Sequence, residues 1–163
     1  MLGVIAAPSV MRISEFLSPE AVIAELASSS KQGALAELCT PLAKVQPGLN
    51  TERLVDVLVQ REKLGSTGIG DGVAIPHGKM SELSRLIASF GVSHAGINFD
   101  AIDGKPTHLF FALLAPENSA GIHLKALARI SRLFKNPQFR QSILAAAGPA
   151  EIYQLITAED SRI

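Results

Sequence analysis

Two short apolar runs, RLIASFGV at 85–92 and THLFFALLA at 107–115, stand between stretches of helical periodicity, and that alternation limits what this chain can fold into. Runs of this length bounded by turn residues read as buried strands. Ahead of them, ISEFLSPEAVIAELA at 13–27 suggests a short helix, a Ser-Pro turn and an apolar strand containing Val22 and Ile23. Residues 30–46 carry Leu35, Leu38, Cys39 and Leu42 at helical spacing. A clearer helix is expected over 51–64, capped by Asn50 or Thr51 and stopped by Gly65. A short apolar segment, VAI at 73–75, follows a glycine-rich stretch. Between the two strand runs, NFDAIDGKP holds an Asp-Gly turn signal. After Pro116 the pattern is helical. One helix is expected near 120–135, a second from Asn136-Pro137 and a third from Gly148-Pro149, each proline suiting a first helical turn. Strands interleaved with helices predict a single α/β domain with a mixed β-sheet flanked by helices.

At 163 residues the chain is long enough for one well-buried core. Fifteen basic and fifteen acidic residues cancel, so no general electrostatic attraction to nucleic acid or acidic lipid is expected. The single Cys39 excludes an internal disulfide and a cysteine-rich zinc site, and suits a reducing compartment. No apolar run approaches the roughly 18 residues that span a bilayer. The opening MLGVIAAPSV lacks a basic start and a long apolar stretch, so it does not read as a signal peptide. Residues 1–10 are expected to be an N-terminal extension before a domain at 11–158, and the protein to be cytoplasmic.

Function is concentrated in REKLGSTGIGDGVAIPHGK at 61–79, which holds five of the thirteen glycines and sets His77 between Pro76 and Gly78. Proline fixes its own φ and biases Ile75 towards extended backbone, so the histidine is expected on a rigid turn, presented rather than packed. The glycines are expected to let backbone N–H groups approach an anion. Leu54, Leu58 and Arg61 fall at i, i+4 and i+7, which places the arginine on the apolar stripe of its helix. The helix dipole alone would also favour a cation there. His123, Leu127, Ile130 and Phe134 form a similar stripe, with His123 in a first turn that Asn118 or Ser119 can cap. A helix start of this kind suits a phosphate or carboxylate, while a core-edge histidine bonded to a carbonyl is the plainer reading. His94 and His108 read as surface or structural residues. Lys79 and Lys125 are left open between solvated charges and contacts to an acidic partner.

Three chemistries could use this set. Metal hydrolysis needs paired ligands such as HExxH, which do not occur. A nucleotide-binding loop needs GxxxxGK[ST], and GSTGIGDG lacks its lysine. Nucleophilic catalysis by histidine remains, in which a neutral imidazole takes a phosphoryl group and nearby cations hold its charge. Neither a metal nor another cofactor is called for.

With REKLGSTGIGDGVAIPHGK, INFDAIDGKP at 97–106, FALLAPE at 111–117 and HLKALARISRLF at 123–134, the chain resembles the IIA proteins of the phosphoenolpyruvate-dependent phosphotransferase system. The likeness is to the mannitol/fructose type, within it to the nitrogen-regulatory branch, and runs from about Met11 to Ile156. It implies that His77 is phosphorylated and that Arg61 and His123 support the phosphoryl group. It also implies an HPr-like phosphocarrier as donor, and an output through regulated target proteins. The alternative is a sugar-specific fructose or mannitol IIA that passes phosphate to a IIB domain.

Overall fold

The computed structural model describes residues 11–163 and builds three layers, helix on sheet on helix. The expected extension at 1–10 lies outside the described residues. A single 3-10 turn at Ile13–Glu15 leads into β1 (Leu17–Ile23) and then two helices, α1 (Lys31–Val45) and α2 (Thr51–Lys63). Three short strands follow, β2 (Gly68–Gly70), β3 (Val73–Ala74) and β4 (His77–Met80). Two long ones, β5 (Ile87–Ile97) and β6 (Thr107–Pro116), precede α3 (Ala120–Leu133), α4 (Pro137–Ala145) and α5 (Pro149–Asp160).

The sheet runs β1-β5-β6-β3-β2, with β1–β5 and β3–β6 parallel and β5–β6 antiparallel, the mixed sheet the sequence leads one to expect. β6 is apolar from Leu109 onward because helices cover both of its faces there. Leu109, Phe111, Leu113 and Ala115 pack into the core beneath α3, α4 and α5, which contains Ile130, Phe139 and Ile152. Phe110, Ala112 and Leu114 face the opposite core with Leu35, Leu38, Leu54 and Leu58 of α1 and α2.

Local chemistry sets most helix ends. Asn50 accepts from the N–H groups of Glu52 and Arg53, and Asn136 from those of Gln138 and Phe139. Pro137 and Pro149 take first-turn positions as expected. Pro41 sits inside α1, and the buried hydroxyl of Ser89 donates to the Leu38 carbonyl one turn back, at 2.8 Å.

Four sequence expectations change. Ser18-Pro19 is not a turn before the strand but part of β1, in a stretch where the register shifts between Leu17↔Ala88 and Val22↔Phe90. β1 is an edge strand, where a proline costs no ladder bond. β5 continues past the expected end at 92 through His94 to Ile97; an irregularity with Gly96 at φ 86° carries the strand through. The glycine-rich stretch is a hairpin: β2 and β3 pair antiparallel around Asp71-Gly72, whose φ values of 57° and 77° suit a tight primed turn. Its glycines serve backbone reversal instead of an anion cradle. Finally, His77 is not on a turn but opens β4. β3 and β4 follow one another along the same side of β6, and the ladder resumes where the Leu113 N–H donates to the Pro76 carbonyl at 2.8 Å.

Candidate active site

Among the described residues β4 pairs with β6 alone, and α2 and α3 flank it from the two faces of the sheet. Gly78 lets α2 come close. A Cβ at that position would stand 2.4 Å from Cγ1 of Val57, so only glycine accommodates the helix at this height. One turn after Val57, α2 delivers Arg61 to the wall of a cleft of about 600 Å³. The same cleft is walled by His77, Lys79, His123 and Leu124, which brings the three residues singled out in the sequence together from α2, β4 and α3.

The two histidine rings meet edge to face with centroids 5.5 Å apart. Nδ1 of His77 lies 2.7 Å from the Ile75 carbonyl, an acceptor only, so that nitrogen carries the proton. Nε2 of a neutral His77 is then the nitrogen with a free lone pair. Burial lowers the His77 pKa below its ordinary 6.5; the Ile75 bond opposes this, Arg61 adds to it and Glu62 opposes it, with the net direction downward. At neutral pH the ring is a nucleophile. His123 is 5% exposed and its Nε2 is buried with no partner among the described residues. Burial first, then the charges on His77 and Lys79, push its pKa down to about 4. An unpartnered polar atom in this position is costly unless something fills the cleft beside it.

α3 begins at the same wall, with Ala120 in the cleft lining. Neither expected cap forms there: the Ser119 hydroxyl donates to the Pro116 carbonyl at 2.6 Å instead of accepting from the helix. The positive end of α3 is left without a side-chain cap next to His123. Arg61 donates to the Gly65 carbonyl at 2.9 Å, at the rim. The arrangement gathers a neutral imidazole nucleophile, a guanidinium, a second imidazole and a helix start, which together suit a phosphoryl group.

Lys79, left open by the sequence, is two residues along β4 from His77 and lines the cleft; Lys125 is not in that lining. Arg53, Val57 and Gln60 of α2 and Leu64 just past its end also line it and were not singled out, although their i, i+4, i+7 and i+11 spacing could have shown it. His94 and His108 are elsewhere. His94 lies between the Glu25 carboxylate and the Leu144 carbonyl, and the Glu25 bond raises its pKa. His108 bonds the Ser93 carbonyl at 2.9 Å.

The sequence profile described as phosphoenolpyruvate-dependent sugar phosphotransferase system, EIIA 2, matches residues 15–159. The chain belongs to this family. It is a phosphoryl-transfer component of that system, whose IIA proteins work with phosphocarrier donors and IIB-type partners. Among its relatives is the nitrogen regulatory protein of Bradyrhizobium diazoefficiens, 41% identical over 146 residues, covering 90% of this chain and 95% of the relative. The nitrogen regulatory protein of Klebsiella oxytoca is 36% identical, covering 94% of each chain. The crystal structure of nitrogen regulatory protein IIA-Ntr from Neisseria meningitidis matches with a TM-score of 0.84 at 34% identity, covering 89% of this chain and 99% of that one. Mannitol IIA of Escherichia coli shares the fold at a TM-score of 0.73 and 18% identity, over 85% and 97% of the two chains. Among the described residues of this EIIA protein, no helix is long and apolar enough to cross a membrane.

Proposed function

We propose that His77 is the phosphoryl acceptor of a cytoplasmic phosphocarrier that takes its phosphate from a phosphorylated HPr-like protein and acts as a nitrogen-metabolism regulator. The observation that carries this is the bond from His77 Nδ1 to the Ile75 carbonyl, which reserves Nε2 for attack beside the unpartnered Nε2 of His123. The Nε2 lone pair forms a bond to phosphorus as the P–N bond of the donor phosphohistidine breaks, and the departing electron pair returns to the donor ring. The Nδ1 proton stays on Nδ1 and donates to the Ile75 carbonyl, which stabilises the positive charge that develops on the ring. Arg61 turns from Gly65 towards the phosphoryl oxygens, and His123 donates from Nε2 once its ring is in the matching tautomer. Hydrogen bonds to a charged group of this kind are worth about 1.5–3 kcal/mol each.

The regulatory assignment rests on the identity with the Bradyrhizobium, Klebsiella and Neisseria nitrogen regulatory proteins over nearly their whole lengths. A second reading, a sugar-specific IIA feeding a IIB domain, draws on 32% identity over 92% of this chain with the fructose-specific EIIABC component of Bacillus subtilis, of which that match covers 24%.

Intact-mass spectrometry after incubation with phosphoenolpyruvate, enzyme I and an HPr-type carrier tests the central assignment. The wild type gains one acid-labile phosphate and His77→Ala gains none. A His77→Ala protein that accepts phosphate at the normal rate overturns it. Onward transfer of that phosphate to a IIB domain at a rate matching its acceptance would decide for the sugar reading.

A further inference from the structure

Glu62, the residue after Arg61, is a carboxylate in an unfavourable place. It lies in the last turn of α2, where the helix dipole opposes negative charge, and its side chain is 5% exposed. Both of its oxygens are nevertheless used. Oε1 accepts from the backbone N–H of Thr67 at 3.0 Å and from the Thr67 hydroxyl, while Oε2 pairs with Lys31 Nζ at 2.9 Å. Lys31, the first residue of α1, also reaches Asp100 at 3.3 Å and lies 4.8 Å from the centre of the Phe99 ring. The cluster therefore joins α1, the end of α2, the approach to β2 and the segment after β5.

The turn it secures is residues 64–67. Burial does not hold that turn at its apex: Leu64 is 84% exposed, and Gly65, at φ 148°, has no atom within 4 Å of where a Cβ would stand. Hydrogen bonds hold it instead. Gly65 N–H donates to the Glu62 carbonyl at 3.1 Å, the Ser66 hydroxyl to the Phe99 carbonyl at 2.6 Å, and Thr67 to the Glu62 carboxylate. The carbonyl of Gly65, at the centre of this turn, is the acceptor for the Arg61 guanidinium.

We propose that Glu62 is a positioning residue for phosphoryl transfer, tying Thr67 and Lys31 to the end of α2 so that the Gly65 carbonyl keeps the Arg61 guanidinium poised at the rim of the His77 cleft. This rests on the reading of Arg61 as a support for the phosphoryl group. Glu62 touches neither donor nor phosphate. Apart from the weak upward pull of its charge on the His77 pKa, which Thr67→Val leaves in place, it acts through Arg61, so its positioning effect must vanish when Arg61 is absent.

The test is a double-mutant cycle read by single-turnover transfer from the phosphorylated HPr-type carrier, with Glu62→Gln and Thr67→Val each made alone and with Arg61→Ala. Each slows transfer about tenfold when Arg61 is present, through kcat with the donor KM unchanged, and adds nothing in the Arg61→Ala background. Equal slowing in both backgrounds, or none with Arg61 present, overturns the proposal. Thr67→Val removes a single hydroxyl and carries the test where Glu62→Gln fails to fold. Loss of the fold in both variants assigns the cluster to stability alone and likewise overturns it. An Arg61→Ala protein that transfers at the wild-type rate overturns the reading of Arg61 itself, whereas a slowed Arg61→Ala with an unaffected Glu62→Gln overturns only the positioning role.

Discussion

His123 lines the candidate cleft at a cost to the fold that holds it. Its ring is neutral at physiological pH because burial disfavours the charged form, with the pKa pushed down to about 4. The unfolded chain takes up a proton near 6.5, the ordinary histidine value, whereas the folded one does not. Stability is therefore undiminished above pH 6.5, declines as pH falls towards 4 and has no further to fall below that, a loss on the order of 3 kcal/mol from this residue. Urea unfolding of wild type and His123→Gln across this window measures it. The difference between their stabilities should shift in favour of the variant as pH falls. Parallel stability curves would show that His123 titrates no differently in the fold than in the unfolded chain.

Among the elements, the contact between α2 and β4 governs the site. Gly78 faces Val57 with no room for a methyl group, so Gly78→Ala forces α2 away from the strand and moves Arg61 with it. Overpacking of this kind costs about 1–3 kcal/mol. Trimming the opposing side chain should restore both stability and phosphoryl transfer in the Gly78→Ala, Val57→Ala double variant, measured by thermal melting and transfer rate together. Failure of the second substitution to restore either would place the requirement for glycine in the backbone instead of in the helix contact. The β2–β3 hairpin shows the other way in which glycine is used, with Gly72 at φ 77° in a turn that side chains disfavour.

At the scale of the whole molecule, the chain closes on itself through Asp160, which is 2% exposed. Its carboxylate accepts from the Ile13 N–H at 2.8 Å and pairs with Arg129 of α3, joining the last helix to the first turn and to the helix that carries His123. Asp160→Ala leaves the Ile13 N–H without its acceptor and the partly buried Arg129 guanidinium with only the backbone carbonyl of residue 160, which should cost about 3 kcal/mol. Urea unfolding checks the loss, while phosphoryl transfer by the folded protein should be unchanged; an unchanged unfolding midpoint would mean that the pair contributes nothing. Much of this architecture was legible in the sequence. Asn50, Asn136, Pro137 and Pro149 mark helix starts by interactions within a few residues, and the alternation of β6 between two cores appears as one apolar run. Arg61, His77 and His123 could be named because local periodicity and a proline-glycine pair set them apart. What local pattern could not convey was pairing across the chain. Residues 77–80 are a strand only because β6 offers them a ladder, and Ser18-Pro19 joins a strand only beside β5. Sequence by itself determined the helices, the central strands and the three candidate side chains, since each depends on neighbours a few residues away. The tertiary structure alone decided that α2, β4 and α3 bring those side chains to one cleft and that the Ile75 carbonyl leaves Nε2 of His77 free, since burial and long-range contact exist only once the layers have packed.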